Sequence, residues 1–217
     1  MTKFLLIILF CLSITSSKGE RSIWLSPVSD SVQPGHFDTK KYNVYFNGLL
    51  KKWTQQFNDF NLSDFYKIQS QEFEAIPTHD FSKLNEFYSI YKPLISFSKD
   101  KNKFIDIYSY QLNLERKGDS YIASPEIDQE IDLCDLKNKK WERILFRWID
   151  EVIWTSSTQF ILVGIDQGGD KSEPLIYLGN TETRSFTIFA SKNKNCIRKR
   201  GFYYHSTALE KMKIEGL

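Results

Sequence analysis

The sequence predicts an α+β fold, mostly antiparallel β-sheet arranged as a meander, with two amphipathic helices in the N-terminal half. Three observations predict it. Between Leu49 and Pro93 large apolar residues recur at helical spacing, and from Leu94 to Ala190 short apolar runs alternate with polar turn clusters. Aromatic residues make up 15% of the chain, with 17 Phe and 11 Tyr, which is enough core material to exclude extended disorder.

The N-terminus reads as a targeting segment. Lys3 supplies a positive charge, Phe4 to Leu12 is an uninterrupted apolar run, and Ser13 to Gly19 is polar. The run is far shorter than the roughly 18 residues a spanning helix needs, so residues 1–19 are expected to be a cleaved signal peptide, with the mature chain starting at Lys18 or Glu20. Phe10 is too bulky before Cys11 for lipoprotein processing. The prediction is a secreted or periplasmic protein, with residues 20–217 as a single α+β domain and no transmembrane segment after cleavage.

Removal of 1–19 takes Lys3 and Lys18 but no acid, so the 29 basic and 27 acidic residues of the chain become 27 of each. A neutral exported domain offers no field for nucleic acid, and none is expected as a partner.

The helical part is expected over about 48–92. Before it, Arg21 to Val28 and Tyr42 to Phe46 read as extended, the latter ending at the turn Asn47-Gly48. Leu50, Trp53, Phe57 and Phe60 are then spaced 3, 4 and 3, forming one helical stripe. Asp80 is a good N-cap for a second helix carrying Phe81, Leu84, Tyr88 and Tyr91, which Pro93 ends.

The β-rich part is expected over about 94–190. Leu94 to Ser98 and Phe104 to Glu115 flank a polar turn, and Arg116 to Asp119 turns the second of these into a hairpin with Ser120 to Ser124. Glu130 to Cys134 is a further strand. Trp148 to Trp154, Gln159 to Ile165, Pro174 to Leu178 and Arg184 to Ala190 form a meander, and the apolar run Phe160 to Val163 marks its second strand as covered on both faces. The meander resembles one blade of a β-propeller in strand length and turn spacing. One blade cannot close a ring and the chain is too short for four, so an open antiparallel sheet is predicted.

Cys11 leaves with the signal, and Cys134 and Cys196 remain. In an oxidising compartment they are expected to form a disulfide closing about 60 residues, worth up to roughly 4 kcal/mol. His36, His79 and His205 are candidate bases, but none lies in a metal or nucleophile motif, so no metal and no cofactor are expected. Asp166 to Asp170 and the set Asp100, Asn102 and Asp106 lack the ligand alternation of a calcium loop. Lys192 to Arg200 is the densest basic stretch, and Asn61-Leu-Ser63 has the pattern of a glycosylation site.

These residues specify no biochemical function. The expectation is a non-catalytic interaction or binding protein whose partner is an extracytoplasmic protein or envelope component. The alternative is a secreted glycosidase-like or peptidase-like hydrolase in which carboxylates and His79 or His205 meet only in the fold.

Overall fold

A computed structural model describes residues 35–166, 172–200 and 206–215. The signal segment and Arg21 to Val28 lie outside the described residues.

The polypeptide forms helices α1 (Thr39–Asn47), α2 (Lys51–Thr54) and α3 (Leu84–Tyr91). The strands are β1 (Phe65–Glu72), β2 (Ile76–Pro77), β3 (Ser96–Phe97), β4 (Lys103–Asp106), β5 (Leu112–Lys117), β6 (Ser120–Pro125), β7 (Glu130–Asp135), β8 (Lys140–Phe146), β9 (Ile149–Trp154), β10 (Gln159–Asp166), β11 (Glu173–Asn180), β12 (Ser185–Ser191) and β13 (Ile214–Glu215). Sheet I has the order β1-β12-β11-β10-β9, sheet II the order β2-β8-β7-β4-β3, and a small sheet joins β13, β6 and β5. Every pairing among them is antiparallel except β13 with β6. The expected α+β class and the meander β9 to β12 are therefore present.

Strand alternation sorts the side chains into layers. Phe160, Leu162, Tyr177, Phe186 and Ile188 of sheet I share a buried cluster with Ile105, Ile131, Leu133 and Ile144 of sheet II, so the two sheets face each other. Leu112, Leu114 and Ala123 of the β5–β6 hairpin join the same core. The other face of sheet I, with Ile161, Val163, Ile176 and Phe189, packs under α1 and α2 through Tyr42, Phe46, Leu50 and Trp53. The other face of sheet II packs Phe104, Cys134 and Trp141 under Phe87 of α3. The layers thus run helix, sheet, sheet, helix.

The sheets are tied at both edges. After β1, Phe73 N–H donates to Arg184 O at 2.8 Å in sheet I, and the next residue's N–H, that of Glu74, donates to Ile144 O at 3.2 Å in sheet II. At the opposite edge Trp154 Nε1 donates to Ser96 O at 2.9 Å. Inside, the buried Gln129 amide donates to Ile107 O and Ile149 O and accepts from Ile149 N–H at 2.7 Å, which satisfies backbone groups that would otherwise be orphaned.

Several segments differ from expectation. Tyr42 to Phe46 is helical rather than extended: Asp38 caps Lys41 N–H at 3.0 Å, and Tyr42 and Phe46, four apart, both point into the core while Val44 between them is exposed. The stripe from Leu50 to Phe60 contains only the single turn of α2, because the chain tightens after Trp53 and reverses at Asp59, whose φ is 46°. Phe57 and Phe60 still pack on Trp53, with ring centroids 4.7 and 5.6 Å away. The expected strand Phe104 to Glu115 is broken into β4 and β5, since the Asp106 carboxylate folds back onto Tyr108 N–H and Ser109 N–H. Strands β1 and β8 were not expected. The second helix, by contrast, begins as anticipated: Asp80 accepts from Ser82 N–H at 2.9 Å, and a 3₁₀ turn leads into α3.

Candidate functional site

Two places concentrate polar chemistry. The first is on the outer face of sheet II, beside the aromatic cluster under α3. Strand β2 pairs with β8, and Thr78 N–H continues that pairing to Trp141 O, which sets the following His79 against β7. His79 Nε2 lies 3.1 Å from Asp132 Oδ2, and the ring sits 4.5 Å from the Trp141 ring. Thr78 Oγ1 donates to the same Asp132 oxygen at 3.1 Å, while Asp132 Oδ1 is buried without a hydrogen-bond partner. The hydrogen bond to Asp132 holds the His79 imidazolium above its usual pKa, against the opposing effect of its partial burial.

Asp106 stands directly across the β4–β7 ladder from Asp132. Two carboxylates opposite each other repel. Burial raises the Asp106 pKa, and its hydrogen bonds from Ser109 and Tyr108 oppose the rise. The cluster therefore sets the His79–Asp132 contact beside an Asp106 carboxyl whose burial favours its neutral form. Both aspartates are only 2–3% exposed, so this carboxylate pair does not line a cleft.

The remaining anticipated residues go elsewhere. His36 is exposed at an isolated bridge to Tyr66 and shares no described contact with His79, and His205 lies outside the described residues. Asp100 caps its own turn, accepting from Ser98 Oγ and Asn102, which holds its carboxyl down at about 2. Asp106 turns instead to Ser109, so Asp100 and Asp106 do not converge on a cation. Of the segment Asp166 to Asp170 only Asp166 is described. Among the described residues no cluster of three or more His, Cys, Asp or Glu side chains is placed to hold a metal ion. No described helix is long and apolar enough to cross a membrane.

The expected Cys134–Cys196 bridge is not formed. Both thiols are free and buried, Cys134 under α3 and Cys196 in the cluster under α1 and α2, so opposite layers of the fold hold them. Burial pushes Cys134 up to about 12 and Cys196 up to about 11. The basic stretch Lys192 to Arg200 is largely committed to its own chain. Arg198 pairs with the carboxylate of Asp150, which also accepts from Trp53 Nε1 at 2.8 Å. Lys194 pairs with Glu173 at 3.3 Å and Lys199 Nζ donates to Gln55 O at 2.7 Å.

The second polar place is a recess of about 230 Å³ on the helix-covered face of sheet I, beyond the end of the aliphatic packing under α1. Tyr42, Gln159, Asn180, Thr183, Ser185 and Thr187 line it, with Leu178 contributing apolar surface. Among the described residues no carboxylate, ammonium, guanidinium or imidazole belongs to its lining, although the Lys41 ammonium lies 4.9 Å from the Tyr42 ring centroid. The Asn180 carbonyl oxygen is occupied by Glu182 N–H and Thr183 N–H, and the hydroxyls of Thr183 and Ser185 bond each other at 2.8 Å. The Gln159 side-chain amide, the Asn180 side-chain nitrogen and the Thr187 hydroxyl line it without a hydrogen bond to another described residue. The recess was illegible in the sequence, because its lining consists of ordinary turn-flanking residues brought together by the registers of β10, β11 and β12.

Comparison with protein-family models, with curated proteins and with solved structures finds no match to this chain.

Proposed function

We propose that the protein is a non-catalytic exported binding protein that engages an envelope component or an extracytoplasmic partner through the outer face of sheet I. The observation that carries this reading is the separation of chemistry from access. The carboxylates nearest His79, Asp106 and Asp132, are buried in sheet II, while the recess at the surface of sheet I is lined by uncharged hydrogen-bonding groups. Hydrolysis requires an acid or base within reach of the scissile bond. Binding requires only convergent donors, acceptors and an apolar wall. Export rests on Lys3, the apolar run Phe4 to Leu12 and the polar stretch after it.

A hydrolytic reading has one observation in its favour, the half-exposed His79 held by a buried carboxylate, which is how a water-activating base is oriented. Assay of the exported protein against glycoside and peptide substrates separates the two. The binding reading expects no turnover above background for the wild type. Turnover that disappears in His79→Ala would contradict it.

A further inference from the structure

We propose that the recess on sheet I takes one neutral sugar ring, an inference that rests on the binding reading above and gives its ligand a chemical class. Its lining offers both donors and acceptors without a formal charge: the Gln159 side-chain amide, the Asn180 side-chain nitrogen and the Thr187 hydroxyl are uncommitted among the described residues, and Leu178 adds apolar surface. A sugar presents the complementary pattern, hydroxyls that both donate and accept around a ring with apolar C–H faces. A cationic ligand would find no counter-charge in the lining, and an anionic one only the exposed Lys41 ammonium 4.9 Å from the Tyr42 ring centroid, a costly arrangement once water is displaced.

The position of the recess also selects against an extended peptide. Its strand-borne residues come from β10, β11 and β12, and the backbone groups of β11 are paired on both sides within sheet I. Recognition by strand addition needs a free edge. This site must bind through side chains. At about 230 Å³ it falls below the roughly 300–1,000 Å³ of pockets that hold drug-sized molecules, which suits a single ring rather than an oligomer buried along its length.

The test is isothermal titration of the full exported chain with glucose, galactose, mannose and N-acetylglucosamine, beside glucuronate and tetra-alanine as charged and peptide probes. At least one neutral sugar is expected to bind saturably. Thr187→Val, which keeps the side-chain shape, and Gln159→Ala are each expected to weaken that binding by about tenfold, the loss of one or two hydrogen bonds. Ile127→Ser, at an exposed site outside the lining, is expected to leave it unchanged. Circular dichroism on each variant separates lost binding from lost fold, and either variant suffices if the other does not fold. Absence of binding by all four sugars, or binding indifferent to both substitutions, would overturn the proposal. If glucuronate or tetra-alanine binds in a Gln159-dependent way while no neutral sugar does, the ligand class is wrong and the binding reading survives. His79-dependent cleavage of a substrate would instead remove the binding reading.

Discussion

Burial, rather than sequence spacing, decides what the titratable and thiol residues of this protein can do. His79 illustrates the sign of such effects. Its folded pKa lies above the ordinary value of 6.5, so its pairing with Asp132 contributes stability fully below that value and loses it as pH rises through the folded pKa. With its side chain 39% exposed, solvent screening limits the contribution to less than about 1 kcal/mol. The urea-midpoint difference between wild type and His79→Gln is therefore expected to be larger at about pH 5.5 than at about pH 8.5. Equal differences at both values would refute the pairing. Cys134 and Cys196 carry a second expectation: both resist alkylation in the native protein and both react once it is denatured without reductant. Intact mass checks this, and a species lacking both adducts after denaturation would restore the disulfide. The sequence marks His79 as a candidate but hides its partner, because Asp132 is more than fifty positions away and meets it only through the β2–β8–β7 order.

At the scale of elements, local signals were legible where one cap or one period decides the outcome. Asp80 and Pro93 bracket α3, and the run Phe160 to Val163 becomes β10, covered on both faces by core residues. They were misleading where two periods fit the same residues: Tyr42 and Phe46 satisfy both strand and helix, and the Asp38 cap selects the helix. Asp38→Ala is expected to cost about 1 kcal/mol, measurable as a shift in the urea midpoint. Strand β8 was obscured by Glu142 and Arg143 at its centre. In the fold Lys140 and Arg184 neutralise Glu142, and Glu74 and Glu130 neutralise Arg143, so the charges are tolerated in a sheet. Strand β1 is an edge strand whose alternately exposed positions are Ile68, Ser70 and Glu72, so its only apolar residue after Tyr66 faces outward and gives a weak signal in isolation. Gly164 carries a tertiary constraint of another kind. It sits at a register shift against β9, where an added Cβ would lie 2.0 Å from Trp148 O. Gly164→Ala is expected to destabilise by about 3 kcal/mol, since the backbone must move to admit it; a midpoint within error of wild type would contradict the register.

For the whole molecule, the sheet-on-sheet core explains how 15% aromatics are used. Phe73, Phe160 and Phe186 fill the space between the sheets, Trp53 of α2 packs with Phe57 and Phe60, and Phe87 of α3 packs on Phe104 and Trp141. Trp53 is fully buried and also hydrogen-bonds Asp150, so Trp53→Ala is expected to cost about 3–5 kcal/mol in a denaturant titration. Composition pointed to this quantity of core, but not to its division into three clusters, which depends on long-range pairing such as β1 with β12. The same division places the His79–Asp132–Asp106 cluster on sheet II and the uncharged recess on sheet I, and on that separation the functional account stands. A backbone amide chemical-shift map recorded while the protein is titrated with the four neutral sugars tests it most directly. The account predicts saturable shifts confined to residues around Gln159, Asn180 and Thr187, with the sugar recovered intact. Shifts centred on His79 and Asp132, or no saturable shifts with any of the four, would contradict it.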